Sequence, residues 1–220
     1  KALTRESDKN FTQLATTVQR YKAVFDNLEF KDLVPEVLPK PNKAPAIIEF
    51  TAGHSRKWLG VAPFAAHLGK QYPLDYMKMV VEGIDLLDKY DIFLFGAPSE
   101  VTILNNLSDS CKNVKVVAGA LKFKEELNLI SQLDGMLSMD SGNAHLAAMY
   151  GVPTISLWGV THPYAGFAPF NQEEHCIVSD RKKYPKIPTS IYGNLVPEGY
   201  EDVMKTILPE QVIEKIKATI

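Results

Sequence analysis

The chain has 220 residues, of which 45% are hydrophobic and 23% charged, and its formal net charge is −2. A single domain of this size buries roughly 70% of the surface that its unfolded chain exposes, so it needs no disulfide or structural metal. The charge balance shows no basic bias toward nucleic acid, and no apolar run approaches the roughly 20 residues of a membrane span.

The first 45 residues are predicted to form a helix and a connector. Apolar residues recur at helical spacing over residues 8–28, which predicts an amphipathic helix. Four prolines within residues 33–45 exclude a helix there and favour an extended connector. We therefore expect a boundary between an N-terminal helix with its connector, residues 1–45, and a domain of residues 46–220.

Short apolar strands alternate with helices from residue 46 onward. The predicted strands are residues 47–50, 58–63, 92–96, 114–118, 136–139 and 154–158. The predicted helices are residues 73–90, 99–107, 124–133 and 143–150, and two shorter ones, 201–207 and 209–218, follow a Pro-rich loop at 183–200. Continuously apolar strands indicate a sheet covered on both faces. The fold class is therefore α/β, a Rossmann-like doubly wound parallel sheet, whose ligands bind beyond the carboxyl ends of the strands.

The sharpest candidate site follows the predicted strand 136–139. Asp140 stands at the end of this strand, Ser141 and Gly142 form a turn, and Asn143 begins a helix. The open N–H groups of a helix N-terminus favour a phosphate, and a glycine lets the backbone approach an anion closely. The alternative is that Asp140 or Ser141 only caps a core helix, and the residues alone leave both open.

Two other strand ends carry a charged residue. Lys70 precedes a helix and could neutralise a diphosphate, although the spacing is not that of a P-loop. Glu100 follows the strand 92–96 closely and could accept hydrogen bonds from the hydroxyls of a ribose. Taken singly, Lys70 is better explained as a solvated lysine, and Glu100 as a first-turn glutamate that interacts favourably with the helix dipole.

Other chemistries fit the sequence poorly. The histidines show no HExxH spacing, Ser141 is not in a GxSxG turn, and no strand is followed by GxGxxG. Cys111 and Cys176 form no CxxC or zinc-type pattern, and we interpret them as packing residues in a reduced, cytoplasmic protein. His145 is the histidine nearest the proposed site, where it either packs behind the turn or contacts the ligand.

Three segments together resemble glycosyltransferase family 9, which contains the ADP-heptose:lipopolysaccharide heptosyltransferases. They are DSGNAHLAA at 140–148, GVP at 151–153 and LWGVTHP at 157–163. The family motifs are D-[ST]-G-x-x-H-x-A-A and P-x-x-x-x-[FYW]-G-x-[ST]-x-P, and this chain matches both at the family's spacing. The segment WLGVAPFA at 58–65, with Lys70 and Pro73, is also similar to the family's G-x-x-P-G-A…K…P element.

The resemblance implies a GT-B architecture, in which two Rossmann-like domains enclose the active site and the second domain binds the nucleotide-sugar. Because only one set of strands is predicted, we expect this chain to be that second half, without the acceptor domain and its catalytic carboxylate. The implied reaction is an inverting transfer from a nucleoside-diphosphate sugar, ADP-heptose above all, to a glycolipid or glycan acceptor. No metal or cofactor is expected. The family's role in lipopolysaccharide synthesis implies peripheral association of the full-length protein with the inner face of the bacterial inner membrane.

The resemblance also assigns donor-binding roles to individual positions. The matching residues are Lys70 for the phosphates, Glu100 for the ribose, Asp140, Ser141, Gly142 and Asn143 for the diphosphate and sugar turn, and His145 for the histidine of that motif. Gly119, Ala120 and Leu121 fall where the family cradles the base, mostly through backbone groups. Ala65 and Ala66 stand where many members carry hydroxyl residues, so this turn has only backbone donors and the donor sugar stays open.

Two rival functions remain at this stage. One is a non-catalytic module that binds a nucleotide-sugar, and the other is a nucleotide-sugar epimerase of the same fold. The last helix has an apolar stripe made of Val212, Ile213, Ile216 and Ile220. This stripe either packs on the domain or, like that of the first helix, docks the missing half, in which case its exposure would let the chain dimerise.

Overall fold

The computed structural model of the chain describes residues 2–30 and 36–220. Part of the predicted connector, residues 33–35, lies outside the described residues, as does Lys1. The proposed boundary at residue 46 stays a prediction.

The strands of the described part form one parallel sheet. They are β1 (Lys57–Ala62), β2 (Tyr90–Leu94), β3 (Val114–Val116), β4 (Gly135–Met139), β5 (Thr154–Trp158) and β6 (Cys176–Val178). Their order is β3-β2-β1-β4-β5-β6, and every neighbouring pair is parallel. This arrangement confirms the predicted Rossmann-like fold. The winding direction reverses between β1 and β4, and ligands of such sheets bind at that point, beyond the carboxyl ends of the strands.

Helices cover both faces of the sheet. They are α1 (Thr17–Asn27), α2 (Pro45–Phe50), α3 (Leu74–Asp85), α4 (Val101–Ser108), α5 (Phe123–Gln132), α6 (Gly142–Met149) and α7 (Pro209–Thr219). α3 contacts α4 and α7 over one core, and α5 contacts α2 and α6 over the other. Since helices cover both faces of the sheet, side chains on either face of its central strands are buried. These are the strand positions from Leu59 to Ala62 and all of β2, β4 and β5.

The apolar stripe of the last helix packs on this domain. Val212 and Ile216 are fully buried in the core that α3 shares. Ile213 approaches α3 at Gly83, where an added Cβ would lie 2.6 Å from its Cδ1 atom. The packing interpretation of α7 is therefore correct.

The first helix is shorter than predicted and none of its residues is buried. It begins at Thr17 because Thr16 and Gln19 form a capping box, with N···O distances of 3.1 and 2.8 Å. The preceding apolar residues make tertiary contacts instead, since Phe11 stacks on Tyr164 and the Leu14 N–H donates to the Tyr164 carbonyl. The docking role for the exposed α1 stripe stays a prediction.

Three other expectations were wrong in detail. Residues 47–50 belong to the helix α2 and not to a strand, because Pro45 occupies its first position and one face buries Ile47 while Ile48 is exposed. The helix predicted to reach residue 90 ends at Asp85, and the segment 201–207 contains only a 3₁₀ turn, Val203–Thr206. β6, a strand of three residues, was not predicted. No helix of the described ranges is long and apolar enough to cross a membrane.

Candidate functional site

A cleft of about 680 Å³ opens at the carboxyl edge of the sheet. Its walls are formed mainly by the segments that follow β1, β2 and β4, which meet near the reversal between β1 and β4. Most residues proposed from the sequence line it, namely Ala65, Ala66, Lys70, Glu100, Asp140, Ser141, Gly142, Asn143 and His145. The fold thus brings together side chains that are up to 80 positions apart in the sequence.

Lys70 and Asp140 form an ion pair in this cleft. The Lys70 Nζ atom lies 2.8 Å from the Asp140 Oδ2 atom, and the two side chains are 15% and 7% exposed. The Thr161 hydroxyl donates a hydrogen bond of 2.8 Å to the same oxygen. Low exposure strengthens such a pair relative to one at the surface. The ammonium group is therefore directed at the DSG turn and not into solvent.

The backbone around Lys70 fixes this direction. Lys70 ends a 3₁₀ turn, Leu68–Lys70, and the carbonyl of Gly69 accepts a hydrogen bond of 2.9 Å from the Val160 N–H. Gly193 packs on the stem of Lys70, where an added Cβ would lie 2.6 Å from Cγ. Residues that follow β5 and β6 thus contact the backbone and the side-chain stem of this segment and fix the position of Lys70.

Among the residues that the structure describes, none caps the N-terminus of α6 with its side chain. Ser141 occupies the capping position in an extended conformation, but its side chain makes no capping bond and lies 3.0 Å, Oγ to Oγ, from Ser138. Gly142 and Asn143 line the cleft. The interpretation of Asp140 or Ser141 as a mere cap is therefore wrong, and the first-turn N–H groups remain available to an anion.

Glu100 lines the cleft and also accepts a hydrogen bond within its own turn. Its Oε2 atom accepts a hydrogen bond of 2.6 Å from the Ala97 N–H, which closes the turn Pro98–Glu100 at the start of α4. The carboxylate is part-buried and lines the cleft beyond β2. The first-turn role and a role toward a ligand are compatible at this position.

His145 lines the cleft on the first turn of α6. Partial removal from water lowers the pKa of His145, and among nearby charges Asp140 raises this pKa while Lys70 lowers it. The neutral imidazole that results can donate or accept a hydrogen bond.

Gly119, Ala120 and Leu121 do not belong to the cleft wall. They lie in the loop between β3 and α5, where Gly119 has a φ of +73° and Ala120 is exposed. Their proposed contact with a base stays a prediction.

Several residues of the wall were not identified from the sequence. They are Phe64, Glu126, Leu146, Phe167, Ile191 and Tyr192. Ile191 and Tyr192 come from the Pro-rich loop 183–200, which has no pattern of its own and is placed by long-range contacts such as the Thr189 N–H to the Val160 carbonyl. Within the described ranges, no three His, Cys, Asp or Glu side chains come together as a metal ion would require.

The chain matches a known family and several known proteins. The sequence model of glycosyltransferase family 9 (heptosyltransferase) matches residues 3–194. Lipooligosaccharide heptosyltransferase 2 of Campylobacter jejuni is 28% identical over an alignment of 223 positions, which covers 96% of this chain and 66% of that protein.

Solved structures show the same fold. A family 9 glycosyltransferase from Veillonella parvula superposes with a TM-score of 0.71 and 20% identity, over 94% of this chain and 60% of that one. The ADP-heptose lipopolysaccharide heptosyltransferase II of Escherichia coli superposes with a TM-score of 0.65 and 19% identity, over 86% and 54%. The chain thus spans about two thirds or less of the length of these proteins.

Proposed function

Because the chain belongs to glycosyltransferase family 9, the heptosyltransferase family, we propose that its cleft binds a nucleoside-diphosphate sugar, with ADP-heptose as the donor. The observation that carries this proposal is the Lys70 ammonium group, 2.8 Å from Asp140 beside the uncapped N-terminus of α6. An ammonium and open backbone donors on one wall form a site for a diphosphate. ADP is chosen because the structurally similar Escherichia coli enzyme is named for ADP-heptose.

The diphosphate would lie between Lys70 and the first turn of α6. Gly142 lets the phosphate approach the main chain, since no atom of the described residues lies within 4 Å of the position that a Cβ would occupy there. Glu100 would accept hydrogen bonds from the ribose, and His145 would contact the phosphate or the sugar. Ala65 and Ala66 would offer only backbone groups to the donor.

The proposed reaction is an inverting transfer. The acceptor hydroxyl attacks the anomeric carbon, and the bond between that carbon and the leaving phosphate oxygen breaks. The proton of the acceptor hydroxyl passes to a general base. Negative charge grows on the leaving diphosphate, so Lys70 and the α6 N–H groups stabilise the transition state more than the ground state. We place the base and the acceptor site in the part of the longer relatives that this chain does not match. The whole protein would then transfer heptose in lipopolysaccharide synthesis, at the cytoplasmic face of the inner membrane.

Calorimetry and a transfer assay on the 220-residue chain test this proposal. ADP should bind with a dissociation constant below millimolar, and no sugar should reach an acceptor glycolipid. Failure of ADP and of every other nucleoside diphosphate to bind would contradict the donor site. Transfer by the chain alone would contradict the placement of the base.

A further inference from the structure

Glu126 stands on the inner face of α5. Residues three and four positions apart share one helix face, and the residues at these spacings from Glu126 are Leu129 and Ile130, both fully buried. A leucine at position 126 would extend this apolar face. The sequence instead places a carboxylate at the end of the face that borders the cleft.

The Glu126 carboxylate has no partner within the described ranges. The adjacent Glu125 accepts a hydrogen bond of 2.8 Å from the Lys122 N–H and so closes the first turn of α5, but no hydrogen bond or ion pair joins Glu126 to another described side chain. Burial raises the pKa of Glu126. Because the Glu126 side chain borders the cleft and no described donor bonds to its carboxylate, that carboxylate is available to accept a hydrogen bond from a ligand.

From the sheet order we infer that Glu126 borders the part of the cleft beyond the ribose site. Lys70 follows β1, Asp140 follows β4 and Glu100 follows β2, while α5 begins after the outer strand β3. A nucleoside diphosphate with its phosphates at Lys70 and its ribose at Glu100 would therefore direct its base toward the start of α5. The wall of the same cleft includes Phe95 and Leu146, apolar side chains that suit a flat base.

We propose that Glu126 selects the nucleobase by accepting a hydrogen bond from its exocyclic amino group. This inference rests on the proposed nucleotide site. Adenine offers an amino group at C6, whereas hypoxanthine has a keto oxygen there, which would face the carboxylate acceptor to acceptor. An unmatched polar pair of this kind discriminates more strongly than apolar contacts do.

Calorimetry with ADP and inosine diphosphate tests the inference, because hypoxanthine has a keto oxygen where adenine has the 6-amino group, together with a proton on N1. The 220-residue protein should bind ADP at least tenfold more tightly than inosine diphosphate. Glu126→Leu should reduce this ratio of affinities to near one, mainly because it weakens the binding of ADP. Glu126→Gln should do the same while keeping the side-chain volume, since an amide can rotate to serve either an amino or a keto group. Glu49→Gln, which removes an exposed carboxylate outside the cleft, should keep the original ratio.

The outcomes separate this inference from the proposed function. If the unaltered protein binds neither nucleotide, the donor site itself is wrong and the inference is wrong with it. If ADP binds but the ratio is near one, or is unchanged in both Glu126 variants, the proposed function stands and the role of Glu126 is overturned.

Discussion

The main chains of Gly69 and Gly159 are in direct contact. The Gly69 carbonyl oxygen occupies the space that a Cβ on Gly159 would need, and it accepts the hydrogen bond from the next residue, Val160. This contact joins the turn after β1 to the segment after β5. It fixes the backbone immediately before Lys70, so the ion pair with Asp140 depends on the absence of a side chain at position 159.

Gly159→Ala should therefore lower both stability and nucleotide affinity. The added methyl group forces the Gly69 turn to move, and such overpacking destabilises by about 1–3 kcal/mol. Urea denaturation should report this loss, and calorimetry should show weaker ADP binding because Lys70 moves with the turn. An alanine variant with wild-type stability and affinity would show that this contact does not position Lys70.

Gly142→Ala provides the matched substitution at a glycine whose surroundings are open. A Cβ at Gly142 would meet no described atom within 4 Å, and alanine is a better helix former than glycine. Thermal unfolding should therefore occur at the same or a higher temperature. ADP affinity should fall by about tenfold, because the methyl group stands where the phosphate approaches. Unchanged affinity would mean that the diphosphate does not use this turn.

His162 predicts a specific pH dependence of stability. Burial, together with the charge of Arg181, lowers the pKa of His162 to about 4, and its Nδ1 atom accepts a hydrogen bond from the Tyr164 N–H. Because the pKa is lower in the folded state than in the unfolded state, this contribution to stability is complete above the unfolded pKa of 6.5. It is lost as the pH falls toward 4.

The measurement is urea denaturation between pH 7 and pH 4.5. Between pH 7 and pH 4.5, the free energy of unfolding of the wild-type protein should fall by roughly 2 kcal/mol more than that of His162→Gln. His67→Gln, at an exposed histidine, should behave like the wild type. Parallel pH profiles for the wild type and His162→Gln would contradict the lowered pKa.

For Glu126 we predict a pH dependence of stability opposite in sign to that of His162. Because burial raises its pKa in the folded state, its contribution to stability is complete below the unfolded pKa and is lost as the pH rises through the folded pKa. Glu126→Gln should therefore unfold at a higher temperature than the wild type at pH 7, and this difference should shrink toward pH 4. A variant less stable than the wild type at pH 7 would indicate that the carboxylate has a structural partner.

The sequence predicts the sheet well and its surroundings less well. β1, β2, β4 and β5 are rich in apolar residues because both faces of the sheet are buried, so their composition identifies them. Ile47 and Ile48 are apolar and β-branched like many strand residues, but they belong to the helix α2. Pro45 is the first residue of this helix, and only one of the two isoleucine side chains is buried. Composition alone cannot separate these two cases.

The candidate site divides in the same way. Asp140 and Gly142 follow a strand within a family motif, so their position is visible in the sequence. Tyr192 reaches the cleft through a loop placed by tertiary contacts, and Glu126 resembles an ordinary first-turn glutamate of a helix. Only the three-dimensional arrangement shows that either residue borders the cleft.

The comparison of ADP with AMP in a lysine variant tests the diphosphate site most directly. Calorimetry on the wild-type protein should show ADP bound well over tenfold more tightly than AMP, because AMP lacks the second phosphate. Lys70→Met should abolish most of this preference, whereas Lys217→Met, which breaks only an exposed pair with Glu214 on α7, should retain it. An undiminished preference for ADP in Lys70→Met would contradict the assignment of Lys70 to the diphosphate.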